Sequence, residues 1–120
     1  MKGILSKHLL DHSDEKKFHF SIECKECRKI WMSREYSFSK ANIEPPTKEK
    51  GIIYSILYQR EKDSAVDRAI EDAENEFNVC PVCGKLVCND CFQICEDIDM
   101  CSKCAELLKE KGELVGDLIV

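Results

Sequence analysis

Val79-Cys80-Pro81-Val82-Cys83-Gly84-Lys85-Leu86-Val87-Cys88-Asn89-Asp90-Cys91 is the stretch whose reading decides the fold. It holds two Cys-x-x-Cys pairs separated only by residues 84–87. A third pair, Cys101/Cys104, follows shortly after, and a fourth, Cys24/Cys27, lies far upstream. Two residues between cysteines let both sulfurs face one ion in a tight knuckle whose backbone amides can also bond to sulfur. Gly84 sits where such a knuckle needs a positive φ, which glycine reaches at little cost. Eight of the nine cysteines fall in these pairs, enough for two tetrahedral sites.

Two groupings of the pairs are open. The sequential one joins Cys24/Cys27 with Cys80/Cys83, and Cys88/Cys91 with Cys101/Cys104. The interleaved one joins Cys24, Cys27, Cys88 and Cys91 as site 1, and Cys80, Cys83, Cys101 and Cys104 as site 2. Local signals favour interleaving. Cys80-Pro-Val-Cys83-Gly84 reads as a knuckle and Cys101-Ser-Lys-Cys104 as the opening of a helix, the combination found in a treble clef. The positive end of the helix dipole would steady thiolates there. Zinc is favoured over iron because a rubredoxin-like site would use two Cys-x-x-Cys-Gly knuckles, whereas Arg28 follows Cys27.

The remaining composition is that of an ordinary folded chain, with 120 residues, 43% hydrophobic and 34% charged. That length leaves room for one domain or two very small ones. No apolar run approaches the roughly 18 residues that suggest a membrane span. The opening Met1-Lys-Gly-Ile-Leu-Ser-Lys-His8 lacks the apolar core of a secretory leader, and the cysteine count is odd, so a disulfide scaffold is not expected. A cytoplasmic protein is expected instead. Its net charge is −5, and eight thiolates around two zinc ions would take it about four charges lower. That sign opposes non-specific binding to a phosphate backbone.

Outside the knuckles, Phe18, Phe20 and Ile22 alternate with His19, Ser21 and Glu23 as a half-buried strand that runs into the first knuckle. A second strand is expected near Ile30–Met32. Residues 1–17 read as a weakly structured segment or a short docked helix, and residues 37–51 as a loop. From 52 to 77 an apolar stripe of Ile53, Ile56, Leu57, Val66, Ala69, Ile70, Ala73 and Phe77 has a gap near residue 62. Ser64-Ala-Val-Asp67 resembles a capping box, so a broken helix or two in tandem are expected, the second over about Ser64–Phe77. The helical insertion is strongly acidic: seven acids stand between 61 and 76 against Lys62 and Arg68. Such a run most often forms a solvated face. A helix beginning at Ala105 should stop at Gly112, with residues 111–120 as a tail.

The segment 80–110 resembles the FYVE-type cross-brace zinc finger. The likeness rests on Cys80-Pro-Val-Cys83-Gly84, Cys88-Asn-Asp-Cys91 and Met100-Cys101-Ser-Lys-Cys104 before a leucine-bearing helix, with Cys24/Cys27 as a remote first pair. The layout is also similar to bacterial zinc-ribbon proteins in which an acidic helix precedes a Cys-x-x-Cys-Gly knuckle. The resemblance implies a cross-braced fold. It does not extend to phosphoinositide binding, because Glu76-Phe77-Asn78-Val79 stand where that family carries a basic, histidine-rich motif. The expected fold is therefore a small α+β zinc-binding domain over 18–110, a treble-clef or zinc-ribbon module. It comprises a first knuckle in 18–36, the insertion in 52–77, and the treble-clef part in 80–110.

Several residues invite other chemistry. Cys95, the unpaired cysteine, reads as a small buried residue. Cys80-Pro-Val-Cys83 looks like a redox dithiol, but no thioredoxin-like strand-to-helix setting surrounds it. His8, His12 and His19 lack a third ligand or a partner acid, and no nucleophile constellation or phosphate-cradling loop is visible. No enzymatic activity is expected. Lys25, Arg28, Lys29 and Arg34, with Trp31 and Tyr36 nearby, interleave cations with aromatic rings, which can bind single-stranded nucleic acid. The competing reading is that they balance a negative thiolate–zinc site. The leading expectation is an interaction module, held by two zinc ions, that shows an acidic helix to a protein partner. A nucleic-acid-binding finger using residues 25–36 is the alternative.

Overall fold

A computed structural model describes residues 1–93 and 99–109. The chain is α+β and divides into two compact units. One is built from Lys2–Ile22 and Ile30–Asn75, the other from Glu23–Lys29 and the described residues from Glu76 onward.

The first unit starts with helix α1, Lys2–His8, which packs on the long helix α2 and buries Leu5. Short strands follow: β1 (Leu10–Asp11), β2 (Lys17–Phe18), β3 (Phe20–Glu23), β4 (Ile30–Met32) and β5 (Tyr36–Ser37). Strands β1, β3 and β4 form one sheet in that order, with Leu10 opposite Ser21. Strands β2 and β5 form a separate antiparallel ladder. The alternation around Phe18–Ile22 thus belongs to two strands with His19 between them, each pairing in a different sheet. Phe18, Phe20 and Ile22 are all buried. The side chain of Ser33 accepts the Phe20 N–H at 2.9 Å, so a buried backbone donor next to the break is satisfied.

Phe18, Phe20 and Phe38 pack with Ala65 and Ala69 of α2 into an aromatic core, bordered by Leu9, Tyr36, Leu57 and Tyr58. The Phe38 and Tyr58 rings meet nearly edge-on at 5.3 Å, and the Tyr58 hydroxyl donates to the Asp14 carbonyl at 2.8 Å. Small alanines one turn apart bring the helix backbone close to the rings. Burying each phenylalanine contributes about 2–3 kcal/mol.

Helix α2 is continuous over Lys48–Glu74, which corrects the expectation of a break near residue 62 and of a helix from Ser64 to Phe77. The gap in the apolar stripe is bridged by polar contacts instead. Glu61 accepts bonds from the Ser39 N–H at 2.9 Å and its hydroxyl at 2.6 Å. Lys62 pairs with Asp11, and Gln59 donates to Asp63 one turn on. Arg60, Glu61 and Lys62 are also good helix formers, so nothing local favours an interruption. The true cap is Thr47, with extended backbone, whose side chain accepts the Lys50 N–H at 3.1 Å. The helix therefore begins inside the stretch expected to be loop, and Phe77 opens a strand instead of closing a helix.

In the second unit β6 (Phe77–Val79) pairs antiparallel with β7 (Leu86–Cys88), Asn78 opposite Val87. A single 3-10 turn over Asn89–Cys91 leads to β8 (Phe92–Gln93), which pairs with β9 (Met100–Cys101). Helix α3 occupies residues 102–109. Phe77, Leu86, Val87 and Met100 are buried, but so are Cys24, Cys80, Cys88, Cys91 and Cys101, and sulfur makes up a large share of this interior. Cys95 and the expected stop at Gly112 lie outside the described residues.

A single α2 capped at Thr47 has a measurable consequence. Thr47→Ala should lower stability by about 1 kcal/mol in thermal or urea unfolding. Ser64→Ala, in the middle of the helix, should leave it within about 0.5 kcal/mol. The reverse ranking would show that a second helix starts at Ser64.

Candidate metal centres

Each Cys-x-x-Cys pair sits on a local frame that its own backbone dictates. In the first knuckle the Arg28 N–H donates to the Cys24 carbonyl at 3.0 Å and the Cys24 N–H to the Lys29 carbonyl at 2.9 Å. The second knuckle repeats this: Gly84 N–H to the Cys80 carbonyl at 2.8 Å, and Cys80 N–H to the Lys85 carbonyl at 3.0 Å. Closing the turn needs a left-handed residue after the second cysteine. Gly84 supplies it at φ +76°, and Arg28 is held there at φ 67°. Arg28 is thus the strained counterpart of Gly84, at a cost of roughly 1–2 kcal/mol.

The sulfurs converge in two groups of four. Cys24, Cys27, Cys88 and Cys91 form one and Cys80, Cys83, Cys101 and Cys104 the other, with all sulfurs of a group within 4.8 Å of one another. This is the interleaved grouping. In each group a knuckle meets a pair whose first cysteine ends a strand and whose second lies in a helical turn. Cys88 closes β7 ahead of the 3-10 turn that holds Cys91, and Cys101 closes β9 ahead of α3, which holds Cys104 in its first turn. The β6–β7 hairpin serves both groups, with Cys80 and Cys83 at its turn and Cys88 at its end.

Within each group, from one pair to the other, Cys27 Sγ lies 3.7 Å from Cys88 Sγ, and Cys83 Sγ lies 3.7 Å from Cys101 Sγ. A disulfide would require about 2.05 Å. A tetrahedron with metal–sulfur bonds near 2.3 Å has edges of about 3.8 Å. The spacing therefore fits a bound cation and not oxidation, and the eight described cysteines are free thiols.

Electrostatics separate the sulfurs within each group. Burial opposes ionisation of Cys24, but the N–H groups of Cys27, Cys88 and Glu26 outweigh it and draw the thiol down to about 6. Cys80 behaves alike: burial is outweighed by the N–H groups of Cys101, Cys83 and Val82, and the thiol falls to about 6. The second pairs go the other way. Burial raises Cys88 and Cys101. Burial and then contact with the Cys27 sulfur raise Cys91. The Cys101 sulfur, then burial, push Cys104 up to about 12. Cys24 and Cys80 form thiolates readily while Cys88, Cys91, Cys101 and Cys104 resist, because four negative sulfurs cannot share so small a volume without a cation. Four thiolates at this spacing are a donor set suited to a metal ion.

Glu26, inside the first knuckle, was not singled out by sequence reasoning. Its Oε1 accepts the N–H of Lys103, in the first turn of α3, at 2.9 Å, while Oε2 is buried without a hydrogen-bond partner among the described residues. A carboxylate at a helix N-terminus is stabilised by the dipole. The knuckle of one group thus positions the helix that carries Cys104 of the other. The Lys25 N–H donates to the Leu86 carbonyl at 2.9 Å and ties the same knuckle to β7.

The other sequence candidates are dispersed. Arg28 pairs with Glu23 at 3.2 Å and Lys29 with Asp90 at 3.6 Å, while Lys25 has no ion pair among the described residues. Trp31 lies on β4 in the other unit and is half-buried. His12 Nε2 is 2.7 Å from the Ser21 hydroxyl, and its ring lies 6.0 Å from that of His19. Among the described residues no histidine joins a cluster of three candidate ligands. On the acidic helix, Asp72 is engaged by Arg34 through two bonds of 3.1 Å, whereas Glu71 is exposed.

The paired knuckles make opposite predictions for one substitution each. Arg28→Gly should raise unfolding stability of the metal-loaded chain by about 1 kcal/mol, since relief of the left-handed strain exceeds the worth of an exposed ion pair. Gly84→Ala should lower it by a similar amount, from backbone strain alone, because an added Cβ meets nothing within 4 Å. Equal loss in both variants would contradict the equivalence of the two turns.

Compared with known proteins, the chain matches no family model, no curated protein and no solved structure. Its functional reading therefore rests on two four-sulfur cages, each close enough to bind a metal ion, in a small α+β chain.

Proposed function

We propose that the chain is a non-enzymatic interaction module held by two structural zinc ions, Cys24, Cys27, Cys88 and Cys91 binding one and Cys80, Cys83, Cys101 and Cys104 the other. The convergence of four sulfurs twice, at tetrahedral spacing, carries this reading. Zinc is chosen because structural four-thiolate sites with two-residue spacing are predominantly zinc sites. Each tetrad is complete, and a fully ligated ion has no open position for substrate or water, so the ions hold shape and do not catalyse. The knuckle-plus-helix group at Cys80, Cys83, Cys101 and Cys104 supports the treble-clef description, and the interleaving supports a FYVE-like cross-brace. Reduced thiols belong to a reducing compartment, and the reading includes the cytoplasm.

A protein partner is favoured over nucleic acid. The net charge is −5, and two of the three clustered cations near the first knuckle are paired with acids. The acidic face of α2 is the surface offered to the partner, with Asp63, Asp67 and Glu71 exposed.

Native mass spectrometry should find two zinc ions per chain, and Cys80→Ser should reduce that to one. Because thiolates are the ligands, binding releases protons and affinity falls as the pH is lowered. On chelation, amide exchange should accelerate through residues 23–29 and 76–93 while the Phe18, Phe20 and Ala69 core keeps its protection longer. Recovery of no metal from reduced, folded protein would overturn the proposal. Titration with a single-stranded oligonucleotide should show no salt-dependent binding, and binding abolished by Arg28→Glu would favour the nucleic-acid reading instead.

A further inference from the structure

The N-terminal half of α2 carries a face that the fold leaves uncovered. Ile52, Ile53 and Ile56 are 65%, 46% and 52% exposed, although the apolar stripe of the sequence suggested a core role for Ile53 and Ile56. At 100° per residue these three share one face with Glu49 and Arg60, which stand about three turns apart at its two ends. Neither Glu49 nor Arg60 forms an ion pair or side-chain hydrogen bond among the described residues. Isolated exposed apolar residues need no explanation, but three isoleucines on adjacent turns framed by opposite, unpaired charges do.

We infer that this face is a self-association surface, in which α2 of one chain packs antiparallel on α2 of a second copy about a twofold axis between Tyr54 and Ser55. The pattern is palindromic about that point. Ile53 then meets Ile56 of the second copy, Ile52 meets the half-buried Leu57, and Glu49 meets Arg60 at both ends. A twofold interface must be self-complementary in this way. The parallel alternative sets Glu49 against Glu49 and Arg60 against Arg60, so charge selects the antiparallel pairing. Asp63, Asp67 and Glu71 fall beyond the paired segment, since Asp63 would stand opposite Pro46, before the second helix begins. The acidic stretch remains free, and a dimer would display it twice.

Sedimentation velocity of the metal-loaded full chain over a dilution series tests the inference. A concentration-dependent monomer–dimer equilibrium is expected. Ile53→Asp, at an exposed position, should keep the helical circular dichroism and weaken the dimer about tenfold or more. Glu49→Arg and Arg60→Glu should each weaken it, and the two together should restore it, which no effect on the monomer alone would do. A monomer at every concentration overturns the inference. So does a dimer indifferent to Ile53→Asp, or a double charge swap weaker than either single one.

Discussion

Four thiols brought within 4.8 Å of each other are the constraint on which the second unit depends. One of them ionises easily, because backbone amides aim at it. Cys88 and Cys91 meet burial and a neighbouring sulfur, and they resist. The cluster is a poor resting place for sulfur alone and a good one for a divalent cation. Among its described residues the unit buries few large apolar side chains to set against the entropy of ordering its loops, and Phe77, Leu86, Val87 and Met100 make a core of small size. Metal–sulfur bonds can substitute for that missing burial. The first unit differs in kind. Its three phenylalanines pack on alanines of α2, and ordinary apolar burial holds it.

The two cages are built from one repeated local device. A turn closes on a left-handed residue, the first cysteine of the knuckle gathers amide donors, and one of those donors is the N–H of the cysteine that begins the second pair. That bond, Cys88 N–H to Cys24 Sγ at 3.2 Å, has its counterpart between Cys101 and Cys80. The repeat is hard to see in the sequence because residues 28–79 intervene between the knuckles and because arginine replaces glycine in the first. Interlocking goes further than ligand sharing. The β6–β7 hairpin supplies both cages, and Glu26 of the first knuckle caps the helix that carries Cys104. The two cages therefore share backbone, although their ligand sets are separate.

Charge on α2 is partitioned in a way that its composition conceals. The acidic run from Glu61 to Glu76 is not uniformly available, since Glu61 holds Ser39 and Asp72 holds Arg34. These contacts let a helix with an interrupted apolar stripe remain continuous for 27 residues. They leave Asp67 and Glu71 exposed between them. Two cations of the basic cluster after Cys24, Arg28 and Lys29, are spent in the same manner on Glu23 and Asp90. Counting charges along the chain identifies which segments are charged, and only the ion pairs tell which charges remain to attract anything.

Spacing alone named the eight sulfurs, because two residues between cysteines is a local geometric requirement that needs no knowledge of the rest of the chain. It also gave reason to prefer interleaving, through Gly84 as a knuckle signal and Cys101–Cys104 as a helix start. The buried Phe18, Phe20 and Ile22 were likewise legible from alternation. Tertiary structure decided what depends on distant partners. Whether α2 breaks at residue 62 turned on Ser39 and Asp11, far away in sequence, and whether Ile53 and Ile56 are core turned on what the fold packs against them. The strain at Arg28 and the capping role of Glu26 belong to the same class. Side-chain periodicity reports which residues share a face, but the burial of that face is a property of the whole packed unit.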